Sequence, residues 1–167
     1  MRLGRTLVVL VLVAIAAIAG YVFVQRSSQP SIGDAVTVYY TKADGETLAP
    51  WKVSLGPARD LPSVAFYVAT QAVAGPPAEV EAVRFPAGTI VRRVDVSNGT
   101  ADVDLSQNVA STGGGSFTES GEFKALVWSL TALPGVKAVQ VRVEGRKVPT
   151  LPGGHLELDE PLNRSSW

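Results

Sequence analysis

The chain has 167 residues, 15 basic and 15 acidic side chains for a formal net charge of zero, one histidine and no cysteine. Neutral balance argues against a nucleic-acid partner, which needs a basic face to displace counterions. The absence of thiols excludes disulfides, thiolate metal sites and a lipid-modified amino-terminal cysteine.

Residues 7–24, LVVLVLVAIAAIAGYVFV, form an uncharged and mostly apolar run. As a helix rising ~1.5 Å per residue, the run covers ~27 Å, close to the ~30 Å hydrocarbon core of a bilayer. Arg2 and Arg5 precede it and only Arg26 follows closely. That asymmetry predicts a single-pass signal anchor over residues 1–26, with its amino end in the cytoplasm and the domain outside. Ala17-Ile18-Ala19 also reads as a signal-peptidase site, which would release a secreted domain by cleavage after Ala19. The continuation of the apolar run through Tyr21–Val24 favours the uncleaved anchor. A short polar linker, residues 27–34, leads into one domain over residues 35–164. Its roughly 130 residues suffice for one core.

Ala35 to Thr41 alternates, with Val36, Val38 and Tyr40 on one face. After a turn at Ala43-Asp44-Gly45, Trp51, Val53 and Leu55 share a face of a second strand. Pro50 marks that strand as an edge, because it has no amide to donate. Asp60 reads as the N-cap of a helix through Ala74, with Pro62 in the first turn and Gly75-Pro76-Pro77 as the stop.

The stretch from Phe85 to Ser106 holds two alternating runs joined by Asn98-Gly99. This is a strong hairpin signal, because a type I′ turn needs φ > 0 at both central residues. Counting outward from the turn sets Val96 opposite Ala101, Val94 opposite Val103, Asp95 opposite Asp102 and Arg93 opposite Asp104. The glycines at 113–115 lack the following lysine of a phosphate-binding loop and read as a plain loop.

Ser116-x-x-Glu119 matches a capping box, with Thr118 as a competing cap. Phe123, Leu126, Val127, Leu130 and Leu133 then fall at helical spacing, with Trp128 at the margin. Val139, Val141 and Val143 point inward on a further strand, Gln140 and Arg142 outward, and Leu156 and Leu158 suggest a final short strand. The fold class expected is α+β: one mixed, mainly antiparallel sheet with two helices on one face (β-β-α-β-β-α-β), preceded by one amino-terminal transmembrane helix.

The chain resembles the GerMN domain, the sporulation and spore-germination domain of bacterial envelope proteins. The residues that carry the resemblance are Tyr39-Tyr40, Pro86-x-Gly88-Thr89, Asn98-Gly99, Val103-Asp104-Leu105-Ser106 and Leu130-Thr131. They continue through Pro134-Gly135-Val136, Val139-Gln140-Val141, Gly145 and Pro161-Leu162-Asn163-Arg164. The resemblance implies a module held outside the cytoplasmic membrane, with a fold similar to the ring-building domains of secretion-type complexes. Relatives of this kind sit beside cell-wall amidase domains or contribute to envelope and channel assembly, and no catalytic residue is established for them. The function expected is therefore non-enzymatic: a membrane-anchored extracytoplasmic module that binds peptidoglycan or an envelope protein, or self-associates, without a cofactor.

The reactive side chains each have a simpler structural reading. Asp102 and Asp104 share a strand face, as a catalytic carboxylate pair requires, but an exposed face neutralised in part by Arg93 explains them more simply. Asp104 also stands where a carboxylate can accept backbone amides at the strand end. His155 lies in a Gly-Gly tail with no nucleophile elbow in the chain, and reads as a surface histidine. Asn98-Gly99-Thr100 is also a glycosylation sequon, but the turn accounts for Asn98. Tyr39, Tyr40, Trp51 and Trp128 suit either core packing or a platform for glycan or peptide. No catalytic, cofactor or metal residue is assigned, and binding residues remain open. The rival readings are a cell-wall hydrolase and a secreted ligand binder.

Overall fold

Alternating residues make the strands and uncharged or striped segments make the helices, in the order the sequence predicts. The computed structural model describes residues 14–21, 32–57, 60–111 and 115–167. The chain divides into two units, residues 1–30 and 31–167. In the first, residues 14–21 are helical, and the rest of the expected anchor and most of the linker lie outside the described residues. Among the described residues no helix is long and apolar enough to cross a membrane.

In the second unit the elements are β1 (Ala35–Thr41), β2 (Leu48–Ser54), α1 (Leu61–Ala74), β3 (Val91–Ser97), β4 (Thr100–Leu105), α2 (Gly115–Leu130) and β5 (Ala138–Val143). Short 3-10 turns follow β4 at Gln107–Ala110 and close the chain at Arg164–Ser166. Asp60 caps α1 by accepting the Ser63 N–H at 3.0 Å. Gly75 ends it at φ 80°, donating its N–H to Gln71 O. Asn98 and Gly99 both take positive φ, 51° and 81°, and the hairpin register is the one counted from the turn.

The strands form two sheets, which corrects the single sheet expected. β1 and β2 pair antiparallel; β3 pairs antiparallel with β4, and β4 pairs parallel with β5. Parallel neighbours need a long crossover, and α2 lies within the connection between β4 and β5. The split has a physical cause in α2. The edge of β1 facing away from β2 meets this helix: Tyr39 N–H donates to Ser129 Oγ at 2.8 Å, and Thr41 Oγ donates to Gly121 O at 2.7 Å. Val83 N–H completes that edge by donating to Thr41 O. A strand cannot dock where a helix and a loop already hold the backbone.

Gly121 permits the approach, because a Cβ there would stand 3.3 Å from Thr41 Cγ2 and 3.2 Å from Val83 Cγ2. The α2 stripe is buried as expected: Phe123, Leu126, Val127 and Leu130 are inaccessible, alongside Val38, Val68, Val103 and Val141 in one core. Phe123 meets Phe85 edge-on at 5.6 Å between ring centres.

Two expectations fail at the carboxyl end. Gln140 does not face solvent: it is buried, and its Nε2 donates to Leu158 O at 2.9 Å. The tail that covers it makes no strand at Leu156–Leu158; it contributes a single bridge, Leu162 to Val139, and inserts Leu158 into the core. A run with two prolines and two glycines between Pro149 and Gly154 cannot sustain a ladder. It can still deliver single leucines inward.

Ser129 also donates to Ala125 O at 2.7 Å. Ser129→Ala should therefore strand the Tyr39 amide at a part-buried edge and destabilise the domain by about 1–3 kcal/mol. Urea denaturation would measure the loss, with an unchanged m-value if only stability is affected.

Candidate functional site

The apolar stripe of α2, continued one turn toward its amino end, lands on two acids: Glu119 lies four residues before Phe123, and Glu122 four before Leu126. Both are buried, at 7% and 6% exposure. They line a pocket of about 220 Å³ whose wall includes Pro86, Val109 and Leu151, with Gly153 and Gly154 at its edge. Glu119 Oε2 accepts the backbone N–H of His155 at 2.9 Å. Its other oxygen, Oε1, is buried without a hydrogen-bond partner among the described residues. Gly154 packs directly on this carboxylate, where a Cβ would collide with it.

Burial, and then the negative charge of Glu119 beside it, push Glu122 up to about 8. Glu122 therefore holds its proton at neutral pH, and ionises readily only if a positive charge arrives or the pocket opens to water. Perturbed acids in a pocket mark a functional-site candidate on physical grounds. The pocket offers an acidic recess beside Ser111, Val109 and Leu151. Among the described residues no cluster of three or more His, Asp or Glu side chains is placed to hold a metal ion.

The sequence candidates lie elsewhere. Asp102 is held by Arg142, whose Nε reaches both carboxylate oxygens at 2.7 and 2.9 Å. Asp104 accepts the Gly145 N–H at 2.6 Å, and its ion-pair partner is Arg92, at 3.4 Å, rather than Arg93. The register shift between Val91 and Arg93 explains the exchange: both arginines are exposed, Arg92 reaches Asp104 and Glu144, and Arg93 turns to Asp95. The two aspartates thus brace β4 against β5 and against the Glu144-Gly145 turn, both of whose residues take positive φ. The imidazole of His155 is exposed; only the backbone of that residue meets Glu119.

Tyr40 is in the core, and burial raises its phenol above the usual range. Trp128 packs edge-on against Trp167 at 5.5 Å, flanked by Lys124 and Arg164. Trp51 stays exposed on the edge strand β2.

Glu119 and Glu122 went unseen as a pair because Glu119 satisfied a capping box. The helix already includes Gly115, so Ser116 stands inside its first turn, and Glu119 is turned toward the 151–155 loop. The available signal was phase: two carboxylates on the buried stripe of an otherwise apolar helix face.

Residues 37–149 match the family described as Germane, sporulation and spore germination. Among solved structures, the chain is similar to the tandem GerMN domains of the sporulation protein GerM from Bacillus subtilis, at 22% identity and a TM-score of 0.63. That match covers 81% of this chain and 47% of the other, so the chain spans about half the length of the tandem structure. The first GerMN domain of GerM alone gives 22% identity and a TM-score of 0.62, over 78% of this chain and 98% of that one. A putative lipoprotein from Clostridium perfringens gives 15% identity and a TM-score of 0.59, over 81% and 89%. Comparison with curated proteins finds no match.

The raised Glu122 sets the direction of one pH dependence. Its folded value, about 8, lies above its ordinary 4.5. Its stability contribution is therefore whole below pH 4.5 and is lost as pH rises toward 8. Glu122→Gln should match the parent chain below pH 4.5 and exceed its stability at pH 8, by on the order of 2 kcal/mol. Denaturant titrations across that range would measure the difference; one that is independent of pH would contradict the assignment.

Proposed function

The chain belongs to the sporulation and spore germination family, and from that premise we propose that it is a membrane-anchored, extracytoplasmic GerMN-type module. It serves the bacterial cell envelope by binding or assembly and performs no catalysis. The partner is peptidoglycan or an envelope protein. The observation that carries this reading is the family match over residues 37–149, downstream of an 18-residue apolar run with arginines on its amino side. The run supports a tether with the domain outside.

Two further observations support a binding role. The acids that a hydrolase would draw on, Asp102 and Asp104, are engaged by Arg142, Arg92 and the Gly145 amide. Those groups fix strand positions, and a carboxylate committed to an ion pair is poorly placed to take up a substrate proton. The solved relatives are named as a sporulation protein and a putative lipoprotein. Both descriptions agree with an envelope setting.

Binding to purified peptidoglycan and crosslinking in intact cells test the proposal together. At least one should capture the domain, and external protease should digest it in cells stripped of their wall. Failure of both captures would contradict the binding role; protection from external protease would contradict the topology. His155→Ala should leave capture within about twofold of the parent, because an exposed side chain away from special features shifts free energies by only ~0.5 kcal/mol.

A further inference from the structure

We propose that the surface built by Lys124, Trp128, Arg164 and Trp167 docks on the bilayer, its indoles at the headgroup level and its two cations on anionic lipid phosphates. The inference rests on the membrane-anchored reading above and adds which face of the domain meets the lipid.

Lys124 and Trp128 are four residues apart on α2 and so share its outer face. The closing turn at Arg164–Ser166 folds back onto that face. Arg164 Nε donates to Thr131 Oγ1 at 2.9 Å, and Trp167 Nε1 donates to Ser120 Oγ at 2.8 Å. The two indoles meet edge-on, and Lys124 and Arg164 each stand 5.7 Å from the centre of the Trp128 ring. Both indoles stay partly exposed, and Arg164 is exposed. The charges are unopposed. Arg92, Arg93 and Arg142 all hold carboxylates, whereas neither Lys124 nor Arg164 makes an ion pair among the described residues. Paired indoles with uncompensated cations at their rim match a membrane interface, where a Trp ring lies between acyl chains and water and basic side chains meet phosphate.

The chain's own path brings this face to the lipid. Ile32 and Gly33, the first described residues of the domain, line a groove with Ala132, Leu133 and Pro134. The domain is therefore entered at the carboxyl end of α2, where Arg164 holds Thr131 and where Trp128 stands four residues before Ala132. Residues 25–31 separate that entry from the apolar run, and even fully extended they reach no more than ~25 Å. So short a tether holds this end of the domain beside the bilayer. A wall glycan or a second protein would not be drawn to this face by the tether.

The test places the full chain in vesicles of phosphatidylglycerol and phosphatidylcholine in equal parts, with and without brominated acyl chains, which quench indole on contact. The three tryptophans are Trp51, Trp128 and Trp167, so the apolar run contributes no signal. Trp51 opposes Val38 on β2, across β1 from α2, and Trp51→Phe leaves the pair to report alone. In that variant the emission should shift to the blue and be quenched by brominated lipid. Quenching should fall away in vesicles of phosphatidylcholine alone, and at ~1 M salt, where the Debye length is ~3 Å. Arg164→Gln should lower the ratio of docked to free domain about fivefold, the share of one basic residue at an anionic surface.

Flotation of the chain with the vesicles at ~1 M salt reads the anchor separately, because a membrane-spanning helix is not released by screening. A chain that floats with its tryptophans unquenched keeps its tether and overturns the docking. A chain that floats only at low salt, with quenching intact, supports the docking and overturns the anchor. Equal quenching in neutral and anionic vesicles, or quenching in the parent chain that vanishes in Trp51→Phe, would overturn the proposal. So would Arg164→Gln losing peptidoglycan capture while leaving quenching unchanged.

Discussion

The fold depends on the docking of one helix against the open edge of one strand. A strand edge carries unpaired amides and carbonyls that must find partners or invite another chain. In β1 the partners come from α2 and the loop before β3: Ser129 takes the Tyr39 amide, Gly121 accepts from Thr41, and Val83 donates to the Thr41 carbonyl. The same helix turns its apolar stripe into the core shared with β3, β4 and β5. The two-stranded sheet, which would be marginal alone, is thereby joined to the three-stranded one, and α1 packs on both β1 and β3 as well. One residue that eases this has no side chain: at Gly121 a Cβ would press on Thr41 and Val83.

This arrangement also explains the acidic pocket. With α2 wedged between the sheets, its amino-terminal turns lie under the 151–155 loop, and whatever occupies the buried phase there is enclosed. The chain has Glu119 and Glu122 at those positions rather than leucine or alanine. An apolar pair would pack the helix more cheaply, because burying carboxyl groups costs free energy that ordinary core residues do not. Local rules broken without a structural return are where function is expected to reside.

Much of the architecture is legible in the sequence, for identifiable reasons. The Asn98-Gly99 turn fixes the hairpin register because so few residue pairs accept two positive φ values. Asp60, Pro62 and Gly75 bound α1 by equally local chemistry. The failures share a cause, which is that long-range contacts leave no local trace. Nothing in the alternation of β1 says that its second edge meets a helix, so one sheet was the economical expectation. Gln140 reads as outward by alternation and is covered by a tail whose path is set by tertiary packing. At the site, Arg92 takes the place expected for Arg93 through a one-residue irregularity, and Glu119, which reads as half of a capping box, turns its carboxylate to the distant His155 amide.

The account's central claim is that α2 binds both sheets into one cooperative unit. Native-state amide exchange at Tyr39 and Val103 tests it most directly, because each amide reports the opening of a different sheet. The account predicts that the two exchange with the same opening free energy, equal to that of global unfolding. Tyr39 exchanging orders of magnitude faster than Val103, through an opening that leaves β3, β4 and β5 protected, would contradict it.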